Sequence, residues 1–394
     1  MKNQTYDIII VGGAVIGSSI AYFTASNPTF QGKIAVIEKD PTYAQSSTSL
    51  SAGGIRQQFS NPENILISKF GVQFLKNINN YLKVDNDPVN IDFEENGYLF
   101  LASKKGIPVL EKNHATQTSL EADVEILNAD QLKEKFNWLN VDDLAAGSFG
   151  YPNSGWLDAH CLTLAFKNKA KSLGVTYIED SVIDFNSDHH QVKQVVLESG
   201  AVLNGGKIIN AAGAQAAKVS KMAGINDLPV HSRKRFIFLF KCNDQLPGCP
   251  LVVDPTGAYF RPEGQNFICG ISPPEDNDPD CEDYYMDYSV FEDELWPILA
   301  ERVPVFETIK RTSSWAGHYA YNVKDQNAII GAHPEKTNFY FANGFSGHGL
   351  QQSPAVGRAV SELINFGSYQ TIDLNNFRFE RFAENKLVKE VNIV

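Results

Sequence analysis

The chain has 394 residues, of which 34 are Lys or Arg and 46 are Asp or Glu, so its formal net charge is -12. Hydrophobic residues make up 43% and charged residues 20%, a balance that excludes a disordered chain and allows a sizeable core. This acidity argues against nucleic acid as the main partner. The length exceeds the roughly 250–300 residues that one core usually organises, which predicts two domains.

The sequence also argues against a membrane span, a disulfide framework and a metal centre. The longest apolar runs, at 7–11 and 236–240, are far shorter than the roughly 20 residues that a spanning helix needs. The chain enters a strand at Tyr6 without the features of a secretory signal. Five cysteines without a CxxC pair fit neither disulfides nor zinc. We therefore predict a cytoplasmic protein that binds no metal.

The clearest local pattern is a strand–helix–strand unit near the N-terminus. A β-branched run at 6–11 indicates a buried parallel strand, and apolar residues recur at helical spacing over 15–26. A second apolar run at 33–38 completes a βαβ unit.

The turn inside this unit resembles a dinucleotide-binding fingerprint. Gly12, Gly13 and Gly17 lie between strand and helix, and Glu38 follows about 20 positions after Gly17. Gly12 allows the tight turn, Gly17 allows close packing of helix on sheet, and the helix N-terminus attracts a pyrophosphate. Glu38 is expected to accept hydrogen bonds from a ribose. Ala14 departs from the usual second glycine, and a plain βαβ unit without nucleotide is the alternative.

A small and polar stretch at 45–59 follows, and it suits the phosphate and sugar-like parts of a cofactor. Its candidates are Ser47, Thr48, Gly53 and Gly54, and the alternative is a flexible surface loop. A helix is predicted from Asn61 to about Leu82, with a proline in its first turn.

The remaining pattern alternates between two kinds of structure. Short strands and one polar helix at 130–136 are predicted over 92–144, and a helix over 158–173 precedes strands at 175–178 and 182–185. Further predicted elements are a strand and turn at 207–213, an antiparallel sheet over 230–319, a strand at 339–342, a turn at 343–349 and a helix from Pro354. We predict an α/β fold in which a Rossmann-like domain (1–90, 150–228 and 320–394) is interleaved with an α+β domain on a largely antiparallel sheet (91–149 and 229–319).

With these motifs, nearly the whole chain resembles the D-amino-acid oxidase, sarcosine oxidase and dimethylglycine dehydrogenase superfamily of flavoproteins. The resemblance is carried by the N-terminal fingerprint, AGGIRQQF at 52–59, YFRP at 259–262, DQNAIIG at 325–331 and GFSGHG at 344–349. GIRQQF is most similar to catalytic subunits of L-proline dehydrogenases. The stretch 314–352 is also similar to mitochondrial FAD-dependent oxidoreductase domain-containing proteins, which are associated with respiratory complex assembly.

The resemblance implies an extended FAD whose flavin lies beneath the second domain. The cofactor-binding residues implied or expected are Gly12, Gly13, Ala14, Gly17, Glu38, Lys39, Ser47, Thr48, Gly53, Gly54, Val182, Ala212, Gly213, Gly344, Gly347, His348, Gly349 and Leu350. At His348 the flanking glycines favour a backbone role. Some relatives attach FAD covalently through a histidine or a cysteine, but Ala52 and residues 314–316 offer neither, so noncovalent FAD is expected.

Four residues are candidates for the substrate site. Arg56 matches an arginine that meets the substrate carboxylate in relatives, and a guanidinium suits that bidentate contact; a structural ion pair is the alternative. Tyr259 matches an active-site tyrosine or is an ordinary core aromatic. Gln351 replaces a carboxylate-binding lysine of some relatives. His318 either faces the substrate or is simply hydrogen-bonded.

These expectations combine into an enzyme that oxidises the C–N bond of a small amino acid or amine, preferably a secondary or N-alkyl amine such as proline or sarcosine. Oxygen-using sarcosine oxidases have a lysine in the strand after the tyrosine motif, and 266–270 has none, which favours a dehydrogenase. Its electron acceptor would be a quinone or an electron-transfer protein. The alternatives are a peroxide-producing oxidase and a flavin-binding assembly or interaction protein with little turnover.

Overall fold

The chain, described over residues 4–392 in a computed structural model, forms two large sheets with helices packed on them. The strands are β1 (Gln4–Val11), β2 (Ile34–Glu38), β3 (Gly54–Ile55), β4 (Tyr98–Ala102), β5 (Val124–Asn128), β6 (Ala146–Gly150), β7 (Gly155–Trp156), β8 (Thr176–Glu179), β9 (Val182–Ser187), β10 (Val192–Leu197), β11 (Val202–Asn210), β12 (Val230–Lys241), β13 (Leu251–Val253), β14 (Tyr259–Glu263), β15 (Asn266–Gly270), β16 (Lys310–Asn322), β17 (Ile329–Ala332) and β18 (Phe339–Asn343). The α-helices are α1 (Val15–Ala25), α2 (Pro62–Lys76), α3 (Ile78–Leu82), α4 (Ile107–Ser119), α5 (Ala129–Lys135), α6 (Ala159–Ser172), α7 (Ala216–Met222), α8 (Trp296–Arg302) and α9 (Gly349–Phe366).

The first sheet is built around the predicted βαβ unit. Its main path is β17-β18-β11-β1-β2-β8, and β9 and β10 attach to β11 as an antiparallel pair. β1 pairs in parallel with both β2 and β11, which brings the carboxyl ends of these strands to one edge. Ligands of open α/β sheets bind outside such an edge.

Helices bury one face of this sheet. Residues of α1, α2, α6 and α9 share a single apolar core with β1, β2 and β17. α1 and α9 cross closely: a Cβ on Gly357 would lie 2.1 Å from Ser19 Oγ, so only glycine fits at this crossing. Within the described residues, no helix is long and apolar enough to cross a bilayer.

The second sheet follows the order β16-β12-β15-β14-β13-β4-β6-β5. Its pairs are antiparallel except β13 with β4. The strands come from residues 98–150 and 230–322, on either side of strands that belong to the first sheet. The predicted fold class is confirmed. The domain boundaries remain a prediction, and they correspond to the alternation of first-sheet and second-sheet strands along the chain.

Two helix predictions between residues 61 and 144 were incomplete. The helix expected from Asn61 to Leu82 is broken at Asn77, whose side-chain amide donates to the Gln73 carbonyl at 2.9 Å and competes with the helical pattern. α4 was missed in a region expected to hold strands. Its buried residues, Leu110, Asn113 and Gln117, have helical spacing, but two of the three are polar, so no apolar period marks the helix.

The last long helix begins earlier than predicted. α9 begins at Gly349, so Pro354 lies inside it rather than at its start. Proline lacks the N–H that would bond to the Leu350 carbonyl, but the Ser353 hydroxyl donates to that oxygen at 2.8 Å instead. This early start places the N-terminus of α9 directly after the 344–349 turn.

Candidate active site

The turn after β1 leaves an open helix N-terminus at the carboxyl edge of the first sheet. Gly12 has φ +97, and a Cβ there would lie 2.5 Å from the Ala211 carbonyl oxygen. A Cβ on Gly17 would lie 1.9 Å from the Gly12 oxygen, which explains the close packing of α1 on the sheet. α1 has neither a side-chain cap at Ala14 nor an acidic residue in its first turn. Its first amides are therefore suited to an anionic ligand.

Glu38 ends β2 beside this turn. Its Oε2 accepts a hydrogen bond from Gly13 N at 2.8 Å, and its Oε1 accepts one from Asp40 N at 2.9 Å. A carboxylate has about four lone-pair sites, so capacity remains for a ligand hydroxyl in the adjoining cavity. The Gly13 amide is thus used by the protein itself and braces the carboxylate.

The 344–349 turn forms a second open helix N-terminus. Gly344, Ser346 and Gly347 all have positive φ, and Ser346 N donates to the Ala320 carbonyl on β16 at 3.0 Å. A Cβ on Gly347 would lie 2.7 Å from the Tyr319 ring. α9 follows without a side-chain cap at His348. The turn therefore connects α9, which packs on the first sheet, to β16 of the second sheet.

A cavity of about 370 Å³ connects these two helix N-termini. The predicted cofactor residues that line it are Gly12, Ala14, Glu38, Lys39, Ser47, Thr48, Val182, Ala212, Gly213, Gly347, Gly349 and Leu350. Gly13, Gly17 and Gly344 line neither this cavity nor its neighbour and instead shape the backbone around it. The free amides at the N-terminus of α1, the Glu38 carboxylate and the N-terminus of α9 together supply donors and acceptors that fit a dinucleotide.

A smaller cavity of about 70 Å³ adjoins the first, and Ser51, Tyr319, Gly347 and Leu350 line both. Three of the four predicted substrate residues lie here with Gly53, Gly54 and His348: they are Arg56, Tyr259 and Gln351. The pairing of β3 with β7 holds Gly54 against Trp156 at this point. Two further lining residues, Tyr98 and Tyr319, were not singled out from the sequence.

Arg56 is the principal charge of the smaller cavity. Its side chain is buried, with Nη1 donating to the Gln58 carbonyl and Nη2 to the Asn392 carbonyl and to His348 Nε2 at 3.1 Å. Its guanidinium also lies over the Phe59 ring at 4.1 Å. Gln351 Oε1 accepts from Arg56 N at 2.7 Å and fixes the backbone. Burial lowers the pKa of Arg56 from its ordinary value, while the negative charge of Glu390 opposes the shift.

The neighbouring groups stay uncharged at neutral pH. Burial, and then the positive charge of Arg56, lower the pKa of His348 well below its ordinary value. Burial raises the pKa of Tyr98 to about 12 and raises those of Tyr259 and Tyr319 above their ordinary value. The smaller cavity thus combines one cation with neutral, hydroxyl-bearing walls.

His318 lies apart from the other three predicted substrate residues. It lines the larger cavity and not the smaller one. Its Nε2 is 3.0 Å from the Asp283 carbonyl oxygen, and its ring contacts Tyr284 edge to face. Burial lowers its pKa. This position corresponds to the hydrogen-bonded alternative and separates His318 from Arg56, Tyr259 and Gln351.

The comparisons with known proteins agree with this geometry. The family model for FAD dependent oxidoreductases (DAO) matches residues 7–363, and the chain belongs to this family of flavoproteins. FAD is accordingly its cofactor.

Individual relatives are similar over almost the full chain. The chain is 45% identical to FAD-dependent oxidoreductase domain-containing protein 1 of Xenopus laevis, covering 98% of this chain and 85% of that protein. It is 24% identical to glycine oxidase of Geobacillus kaustophilus, covering 91% and 93%. The crystal structure of L-proline dehydrogenase from P. horikoshii is similar with a TM-score of 0.85 at 26% identity, covering 98% of this chain and 100% of that one.

Proposed function

We propose that this flavoprotein is a dehydrogenase that oxidises the C–N bond of a small amino acid, preferably a secondary or N-alkyl amine such as proline or sarcosine. The observation that carries the proposal is the cavity of about 70 Å³, lined by Arg56 and three tyrosines, next to the cofactor cavity. A pocket of this size favours a small substrate. The likeness to a protein named L-proline dehydrogenase supports a cyclic secondary amine among the candidates.

The residues of the larger cavity would hold FAD. Gly12 and Ala14 would accommodate its pyrophosphate at α1, Glu38 its ribose, and Gly347 and Gly349 its flavin at the N-terminus of α9. The positive end of that helix stabilises negative charge. Bound FAD supplies the two-electron acceptor that the chain's own side chains lack.

In the smaller cavity, Arg56 would bind the substrate carboxylate. Tyr98 and Tyr259 would keep their protons, because burial raises their pKa values, and so could donate hydrogen bonds to the same group. The neutral amine is the reactive form because its lone pair develops into the imine, so orientation is the protein's main contribution. Water would then hydrolyse an acyclic imine. The experiment for this proposal is anaerobic reduction of the bound flavin by a panel of amino acids.

The missing lysine favours a dehydrogenase over an oxidase. β15 contains no lysine, and of the described residues Arg56 is the only Lys or Arg that lines the smaller cavity. We expect electron transfer to an artificial acceptor dye to outpace oxygen consumption, as for an enzyme that serves a quinone or an electron-transfer protein. Oxygen uptake and peroxide yield, measured beside dye reduction on one preparation, check this. Stoichiometric peroxide at an undiminished rate would instead establish an oxidase.

FAD is expected to be noncovalent. Ala52 lies at the smaller cavity with no nucleophile on its side chain, and no cysteine of the described chain lines either cavity. Acid precipitation of the yellow protein should therefore release intact FAD into the supernatant, as chromatography of that fraction would show. Flavin that stays with the pellet would contradict this expectation.

The cytoplasmic location is likewise part of the proposal. All five cysteines are free thiols, three of them buried, as expected in a reducing compartment.

A further inference from the structure

Residues 388–392, here called the C-terminal segment, cross the start of α2 without forming a helix or strand. Polar groups of other elements bind their backbone. Asn327 Nδ2 donates to the Val388 carbonyl at 2.6 Å, Asn61 Nδ2 donates to the Lys389 carbonyl at 3.0 Å, and Glu390 N donates to the Asp325 carbonyl at 3.1 Å. The segment is therefore attached by specific hydrogen bonds in addition to the packing of Val388 against the core.

Glu390 is the centre of this attachment. It is 1% exposed, and five donors converge on its carboxylate. Oε1 accepts from Ser60 N at 2.9 Å, Ser60 Oγ at 2.7 Å and Asn392 N at 3.0 Å. Oε2 accepts from the side-chain amides of Asn61 at 3.1 Å and Asn64 at 2.9 Å. Burial alone would raise the pKa of Glu390, but the hydrogen bonds from Ser60 and Asn64 leave it lowered, so the group is charged at neutral pH.

The segment reaches Arg56 through Asn392. The Asn392 carbonyl accepts from Arg56 Nη2, on the same nitrogen that faces His348. The Asn392 side chain is fixed as well, since its Oδ1 accepts from Asn113 at 3.0 Å and its Nδ2 donates to the Gln58 carbonyl at 3.2 Å. Gln58's carbonyl is also the acceptor of Arg56 Nη1. Asn392 and Gln58 thus hold both terminal nitrogens of the guanidinium.

We propose that Glu390 is a positioning residue for the substrate pocket: by fixing residues 388–392 it holds the Asn392 carbonyl against Arg56 and orients the guanidinium for a substrate carboxylate. The negative charge of Glu390 also opposes the effect of burial on the pKa of Arg56. This inference rests on the proposed function, because it assigns Arg56 to carboxylate binding.

The substitution Glu390→Gln tests the inference while preserving size. Glutamine can satisfy the donors at one oxygen only, because its amide nitrogen cannot accept from Asn61 and Asn64. We expect the holoenzyme to bind acetate about tenfold more weakly or worse, measured by the absorbance change of the bound flavin. KM for an amino-acid substrate should rise by a similar factor while kcat falls less. FAD content should match the wild type.

Glu384→Gln is the matched control. Glu384 lies four to eight residues from the positions of the C-terminal segment, but its partners are the half-buried Arg378 and the exposed Lys386, which contact neither cavity. This variant should bind acetate like the wild type. Asn392→Ala is the second test, because it removes the contacts to Asn113 and Gln58 at the end of the segment without disturbing the core. It should weaken acetate binding by a smaller factor than Glu390→Gln.

Unchanged acetate affinity and KM in a flavin-loaded Glu390→Gln variant would overturn the inference and leave the proposed function standing. If that variant does not fold, unchanged acetate affinity in Asn392→Ala overturns it instead. A wild-type holoenzyme that neither binds acetate nor is reduced by an amino acid would overturn the proposed function together with this inference.

Discussion

The substitution Gly12→Val should abolish FAD retention. Gly12 has φ +97, which a β-branched residue rarely adopts, and its Cβ would lie 2.5 Å from the Ala211 carbonyl oxygen. To relieve this clash, the turn must move away from β11. This movement displaces the amides at the start of α1 that would hold the pyrophosphate. The purified variant should be colourless, as its absorbance spectrum and FAD-to-protein ratio would show.

Gly200→Val is the control for this experiment. Gly200 also has a positive φ, of +83, but a Cβ there meets nothing within 4 Å. The control therefore shares the backbone strain without the clash and should retain FAD. A Gly12→Val protein that is folded by circular dichroism and fully loaded with FAD would remove the α1 turn from the cofactor site.

The substitution Arg56→Ala should have the largest effect on turnover. If the substrate carboxylate is left unpaired in this buried pocket, the transition state is destabilised by roughly 2–5 kcal/mol. Catalytic efficiency should then fall by about 30-fold to a few thousand-fold, measured as kcat/KM with an acceptor dye. Arg56→Lys should recover only part of the lost catalytic efficiency, because an ammonium keeps the charge but lacks the planar geometry of a guanidinium.

Two measurements distinguish substrate binding by Arg56 from a role in cofactor binding. FAD content should hardly change in either Arg56 variant, and loss of flavin together with activity would assign Arg56 to the cofactor. Arg358→Ala is the matched control, because Arg358 lies on α9, stacks over Phe70 and lines neither cavity. Unchanged kinetics of Arg56→Ala on every carboxylated amine would remove Arg56 from the substrate site.

The turn at the larger cavity could be predicted because its signals are local. Gly12, Gly17 and Glu38 lie within one βαβ unit, so their spacing in the sequence determines their spacing in the fold. The helix start at Gly349 was missed because Pro354 is a strong stop signal and the compensating hydroxyl of Ser353 is not visible as one.

The smaller cavity, by contrast, depends on contacts between distant segments. Tyr98 reaches the pocket through the parallel pairing of β4 with β13, where Leu251 lies opposite Tyr98, and no local pattern predicts that register. Tyr319 follows His318 on β16, and alternation along a strand could have placed one of the two at the smaller cavity. The approach of Asn392 to Arg56 joins positions more than 300 apart in the chain and could not have been inferred from spacing.

The most direct test of the proposed function is anaerobic mixing of the oxidised holoenzyme with single amino acids, with flavin absorbance near 450 nm followed over time. Proline, sarcosine, N,N-dimethylglycine and glycine form the panel, and acetate serves as the carboxylate without an oxidisable C–N bond. We expect at least one amine to bleach the flavin completely and acetate only to perturb its spectrum. An oxidised flavin that persists with every amine of the panel would contradict an amino-acid dehydrogenase and favour a flavin-binding protein with little turnover.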